Sequence, residues 1–140
     1  MTNFSSDVRY AGSRLLLYGE QLDPVEIDKL SSIKSNESYK KGEPTSGGKG
    51  VRKGGMWSIR PLSKNDTLLT DLEFFRCALD AAPKPLTSIN GVELARISVW
   101  LYDTSMETSE ILINLEDLEL INDIGAEIYL TVFRGDVGLE

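Results

Sequence analysis

The chain contains no histidine at all, and that absence excludes more than any residue present establishes. Without an imidazole there is no Ser-His or Cys-His nucleophile pair and no histidine metal ligand. The side chain that most often moves protons near neutral pH is missing as well. Cysteine is nearly as scarce. Cys77 stands alone and cannot close an internal disulfide, so the sequence fits a reducing compartment. Long apolar runs are also lacking: no stretch approaches the roughly 18 residues of a membrane span. Met1 to Arg9 shows no basic start followed by an apolar run, as a secretory signal would. The expectation is a soluble, cytoplasmic protein.

What is present suits one globular domain over residues 1–140, since 140 residues with 41% hydrophobic side chains can bury a sizeable core. The net charge of −7 is unevenly spread. Between Lys34 and Gly55 six basic residues (Lys34, Lys40, Lys41, Lys49, Arg52, Lys53) oppose Glu37 and Glu43. From Asp103 to Glu140 ten acidic residues meet only Arg134. Such asymmetry can steer a cationic partner to one end of a molecule and an anionic one to the other. The plainer function of so many acids is solubility.

Period and punctuation supply the elements. Val8 to Tyr18 reads as a strand closed by Gly19. Asp23-Pro24-Val25-Glu26 then announces a helix, with aspartate as cap, proline in the first turn and Val25, Ile27, Leu30 and Ile33 as its apolar side. From Lys34 to Gly55 the hydrophobic pattern stops, and glycine, serine and lysine predict a long loop, a kind of segment that is commonly mobile or functional. Met56 to Ile59 returns to a strand. Thr67 to Ala82 carries Leu68, Leu72, Phe75 and Leu79 at helical spacing, with Asp66 or Thr67 as cap and Pro83 as stop. Cys77 belongs to this helix and is expected as a small, core-facing or half-buried thiol.

The last third predicts strand, strand, helix, strand. Val92 to Tyr102 alternates, with Ile97, Val99 and Leu101 on one side and Trp100 and Tyr102 on the other. Ile111, Ile113 and Leu115 alternate next. Asn114 suits the cap of a helix that turns Leu115, Leu118, Ile121 and Ile124 inward and ends at Gly125, where a left-handed residue is expected. Ala126 to Phe133 closes the chain's pattern as a strand, with Ile128, Leu130 and Val132 opposite Tyr129, Thr131 and Phe133. Strands that do not alternate regularly with helices predict an α+β fold: an antiparallel or mixed sheet with about three helices packed on it.

These residues, taken in order, carry a resemblance. The first strand, Gly19-x-x-Leu22-Asp23-Pro24-x-x-Ile27, Lys41-Gly42-Glu43-Pro44, Gly55-x-Trp57-Ser58 and the closing Ile124-Gly125-Ala126-x-Ile128-x-Leu130 resemble the bacterial domain-of-unknown-function family 4279. The likeness runs from about Tyr10 to Phe133 and implies an α+β fold with no assigned chemistry. Some relatives look like immunity proteins that accompany bacterial toxins. The family usually ends its last strand with an acidic and aromatic pair, where this chain has Thr131, Val132 and Phe133.

No residue set adds up to an active site. Gly47 to Gly55 lacks the Lys-Ser/Thr of a phosphate loop, and a strand rather than a helix follows it. Acidic residues around Asp103, Glu107 and Glu110 lack calcium-loop spacing. Glu116, Asp117 and Glu119 fall at a helix start, where the dipole favours negative charge. The expectation is therefore a non-catalytic protein-binding domain with no cofactor and no metal. The specific form expected is an immunity-type inhibitor that captures a basic toxin domain. Its partner surface would comprise Asp103, Glu107, Glu110, Glu116, Asp117 and Glu119, all expected to be solvated, with Trp100 and Tyr102 as aromatic anchors if they do not fill the core. The alternative is a small-ligand or nucleic-acid binding module that uses the basic 34–55 loop, where Lys49, Arg52 and Lys53 can follow phosphates and Trp57 can stack on a base. The overall negative charge weighs against nucleic acid. A hydrolase built from two of the many carboxylates is a further alternative.

Overall fold

In the computed structural model, which describes residues 3–4, 8–61, 67–104 and 111–134, a short strand β1 (Asn3–Phe4) precedes the long β2 (Val8–Gly19). Alternation governs β2 except at one point. Its register against the later strand skips between Tyr10 and Gly12, leaving Ala11 as a bulge. Gly12 has φ 153°, a conformation that disfavours any side chain, so the bulge needs glycine here.

Helix α1 (Pro24–Asp28) starts where the sequence announces it, with Asp23 Oδ1 accepting from the Val25 N–H at 3.1 Å. It is shorter than its apolar spacing implies. Ser31 Oγ donates to the Ile33 carbonyl and accepts from the Ile33 N–H, which draws both groups out of a helical ladder. Val25, expected on the apolar side, is 59% exposed because it lies about 200° round the helix from the fully buried Ile27.

The 34–55 segment is not one featureless loop. It contains β3 (Glu37–Tyr39) and a hairpin closed by the Pro44–Val51 bridge, with Arg52 N donating to Glu43 O and Thr45 N to Gly50 O. Glycines at positive φ, Gly42 and Gly48, make its turns. Gly54 and Gly55, by contrast, allow close packing, since a Cβ there would meet Tyr18 and Leu22. Strand β4 (Gly55–Ile59) follows, then α2 (Leu68–Ala78), capped by Thr67 Oγ1. A 3₁₀ turn (Leu86–Ser88) leads to β5 (Leu94–Asp103), the two-residue β6 (Ile111–Leu112), α3 (Leu115–Ile124) and β7 (Glu127–Arg134). Asn114 caps α3 through the Asp117 N–H at 3.0 Å, and Gly125 ends it at φ 77°.

The main sheet has the order β3-β4-β2-β5-β7, antiparallel throughout except for the parallel pair β5–β7, while β1 and β6 form a separate antiparallel pair. Parallel neighbours cannot be joined by a tight hairpin, so α3 carries the chain back to the start of β7. One face of the sheet supplies Leu15, Leu17, Trp57, Ile59, Ile97, Val99 and Leu101 to a core shared with Ile27, Leu68, Leu72, Phe75, Ile121 and Ile124 of the helices. The arrangement is α+β. No described helix is long and apolar enough to cross a membrane.

Candidate interaction faces

Side chains opposite one another in a ladder share a face, so the register assigns every strand residue to the core or to the other side. That other side holds Arg9, Tyr102 and Phe133 in one row. Gly12, Trp100 and Thr131 form the next, then Arg14, Ser98 and Tyr129, then Leu16, Arg96 and Glu127. Towards the opposite edge lie Glu37 beside Ser58, and Tyr39 beside Met56 and Tyr18. No described helix lies over this face, because all three contribute their buried residues to the core on the opposite side.

Arginine and aromatic rings dominate it. The Arg96 guanidinium sits 4.3 Å from the Tyr129 ring centroid, Arg60 is 5.4 Å from that of Trp100, and Arg52 is 4.0 Å from that of Tyr39. Arg60 projects from just beyond β4, and the missing side chain at Gly12 leaves open the position beside Trp100. Tyr102 and Phe133 pair at 5.4 Å between centroids. Exposure rises towards β7: Met56 and Ser58 are buried, whereas Tyr129 is 53% and Phe133 41% exposed. Of the chain's seven arginines, five (Arg9, Arg14, Arg52, Arg60 and Arg96) occupy this face, against Glu37 and Glu127. A chain with net negative charge thus has one locally positive surface.

The helix layer differs. Glu116, Glu119 and Asp123 are exposed along α3, and so are Leu115 and Leu118. Two acids expected on this surface are elsewhere. Asp117 is fully buried because the core stripe of α3 is Asp117, Ile121 and Ile124 rather than one beginning at Leu115. Asp103 is 1% exposed, since β5's alternation sends it to the core side, where Arg134 of β7 bridges it at 3.1 Å. Glu107 and Glu110 lie outside the described residues. Trp100 and Tyr102 are half-buried on the open face of the sheet, away from the acidic helix. The expected single partner surface is therefore divided between two sides of the molecule.

The alternative loop site divides as well. Lys49 and Lys53 are exposed on the hairpin, and Arg52 lies over Tyr39, but Trp57 is fully buried with its Nε1 donating to Asp28 Oδ1 at 2.9 Å. It fixes α1 to the sheet and cannot stack on a ligand. Cys77 is exposed rather than core-facing, because it lies about 200° round the helix from Phe75. It borders a shallow pocket of about 370 Å³ with Lys29, Ser31 and Asp80.

The molecule holds two further polar groupings. A cleft of about 690 Å³ between the starts of β5 and β7 is lined by Lys84, Glu93, Leu94, Asn122 and Glu127. Burial lowers the Lys84 pKa from the ordinary lysine value, and its ammonium donates to the Leu79 and Ala82 carbonyls at 2.6 and 3.2 Å. Those bonds make Lys84 a terminator of the α2 region. Inside the core, Asp71 accepts from the Tyr10 hydroxyl and from Ser13 Oγ, the latter at 3.0 Å. Burial, reinforced by the Asp71 carboxylate, pushes the Tyr10 hydroxyl far above the ordinary tyrosine range.

Sequence reasoning missed Arg9, Arg14, Arg60, Arg96, Tyr129 and Phe133 as members of one surface. Alternation within β7 had already grouped Tyr129 with Phe133. Nothing local tells that β7 lies parallel beside β5, which brings those rings next to Trp100 and Tyr102. Compared with known proteins, the model of the family described as "Domain of unknown function (DUF4279)" matches residues 9–132, and the chain belongs to that family. No curated protein and no solved structure matches it.

Proposed function

We propose that this member of the family is a non-catalytic binding domain whose working surface is the open face of its sheet, and that its partner is anionic. One observation carries the reading: five of seven arginines gather on the face that no described helix covers, interleaved with Trp100, Tyr102, Tyr129 and Phe133. Arginine, tryptophan and tyrosine are the side chains that most often carry binding energy at interfaces. Arg52 and Arg60 rest on rings, and Arg96, which lies over Tyr129, also donates from Nε to Glu127 Oε1 at 3.3 Å, so it is through its terminal N–H groups that it would meet carboxylate or phosphate. The absence of histidine removes the commonest acid–base side chain. Retention on immobilised heparin at low salt tests the reading. The parent should be held despite its net charge of −7. A variant with Arg14→Glu and Arg96→Glu, checked for folding by circular dichroism, should flow through. An unretained parent would refute the proposal.

The immunity-type reading rests on a separate observation. On α3, Leu115 is 70% and Leu118 47% exposed between Glu116 and Glu119, a mixture of apolar anchors and negative charge suited to a basic protein. In that case Glu116→Lys with Glu119→Lys should slow association with a basic toxin domain encoded next to this gene, and flatten its salt dependence. Unchanged association would remove this second reading.

A further inference from the structure

We infer that the open face binds single-stranded nucleic acid, with bases stacked on the β5 and β7 rings and phosphates held by arginine; this rests on the proposed anionic partner and narrows it. Trp100 and Tyr102 are two residues apart on β5, which places them roughly 6.7 Å apart along the strand. A stacking step is about 3.4 Å, so two rings that hold one base between them need a separation of about 6.8 Å. The face therefore offers rings at the interval an extended single strand can use.

Tyr129 and Phe133 continue the platform on the neighbouring strand, and both are exposed. Every strand cation on this face is arginine, whose planar group stacks on rings and bases and also forks onto phosphate. Arg9 and Arg14 line the β2 side of the rings, Arg60 stands over Trp100, and Arg96 over Tyr129. A duplex hides its base faces and gains nothing from the rings. An acidic polypeptide would satisfy the guanidinium groups but leave the ring spacing unused. Sequence-tolerant stacking with backbone neutralisation is the chemistry that uses both.

The test is fluorescence anisotropy with labelled 12-nucleotide oligo-dT and oligo-U, set beside a 12-base-pair duplex and a polyglutamate peptide. Single strands should bind tightest. Four arginines on phosphates give a salt slope near −3, hence a loss of roughly 50-fold between 50 and 200 mM salt. Tyr129→Ala and Phe133→Ala should each weaken binding about ten-fold or more. Arg96→Gln should reduce the slope by about 0.7, an effect that damaged folding does not imitate. No single-strand binding at 50 mM salt overturns the inference. So does polyglutamate binding equally well with the ring variants unaffected. If the protein still holds to heparin in either case, the anionic-partner reading survives this failure. Loss of heparin retention as well would end both.

Discussion

Strands β2 and β5 each present two chemically opposite surfaces. Leu15 and Leu17 alternate with Arg14 and Leu16, and Ile97, Val99 and Leu101 alternate with Arg96, Ser98 and Trp100. On one side helices exclude water, and the residues that β2 and β5 turn to it are aliphatic apart from Tyr10, Ser13 and Asp103. On the other, arginine side chains lie along the sheet with their guanidinium groups over rings, and Arg96 also pairs with Glu127. Burial therefore explains one set of residues completely. It does not explain the other, where five arginines stand against Glu37 and Glu127, and the proposed binding role rests on that set.

Substitutions on the two faces should separate stability from binding. The largest stability effect is expected from Trp57→Ala on the core face, which empties a fully buried site and removes the hydrogen bond to Asp28. Urea denaturation should show a loss of about 3–5 kcal/mol. A loss under 1 kcal/mol would mean that the core face is far less tightly packed than the burial indicates.

A smaller effect should appear at alkaline pH from the polar group within that core. Burial and the Asp71 carboxylate hold the folded-state pKa of Tyr10 above the ordinary tyrosine value of about 10, so the folded protein keeps a proton that the unfolded chain releases. Stability from this group is complete below pH 10 and declines as pH rises beyond it. Between pH 9 and 11 the parent should lose up to about 1 kcal/mol more than Tyr10→Phe, partial exposure screening the rest. Identical alkaline profiles would show that Asp71 does not hold the hydroxyl proton.

The smallest stability changes belong to the open face. Tyr129→Ser and Phe133→Ser each remove one exposed ring contact, to Arg96 and to Tyr102 respectively. Each should cost under about 1 kcal/mol. If either approached the Trp57→Ala value, these rings would be structural and the distinction between the faces would collapse.

The sequence made the local elements readable because their causes are local. Asp23 and Pro24 start α1, Thr67 and Asn114 cap their helices, Gly125 ends α3, and alternation outlines β2, β5 and β7. The rotation of α3 was less accessible. Leu115 and Leu118 fit a helical stripe as well as Asp117 does, and only the neighbouring α2 and sheet select which stripe is buried. The proposed partner surface was least accessible of all. Arg9, Arg14, Arg60 and Arg96 are scattered singly along the chain, and their assembly depends on the order β4-β2-β5. Tyr129 and Phe133 join Trp100 and Tyr102 only through the parallel register of β5 and β7. Composition and period thus determined the fold class and the identity of most elements, since caps, turns and alternation act over a few residues. The tertiary structure alone decided which faces coincide, because strand pairing joins residues distant in sequence and leaves no local mark on either strand.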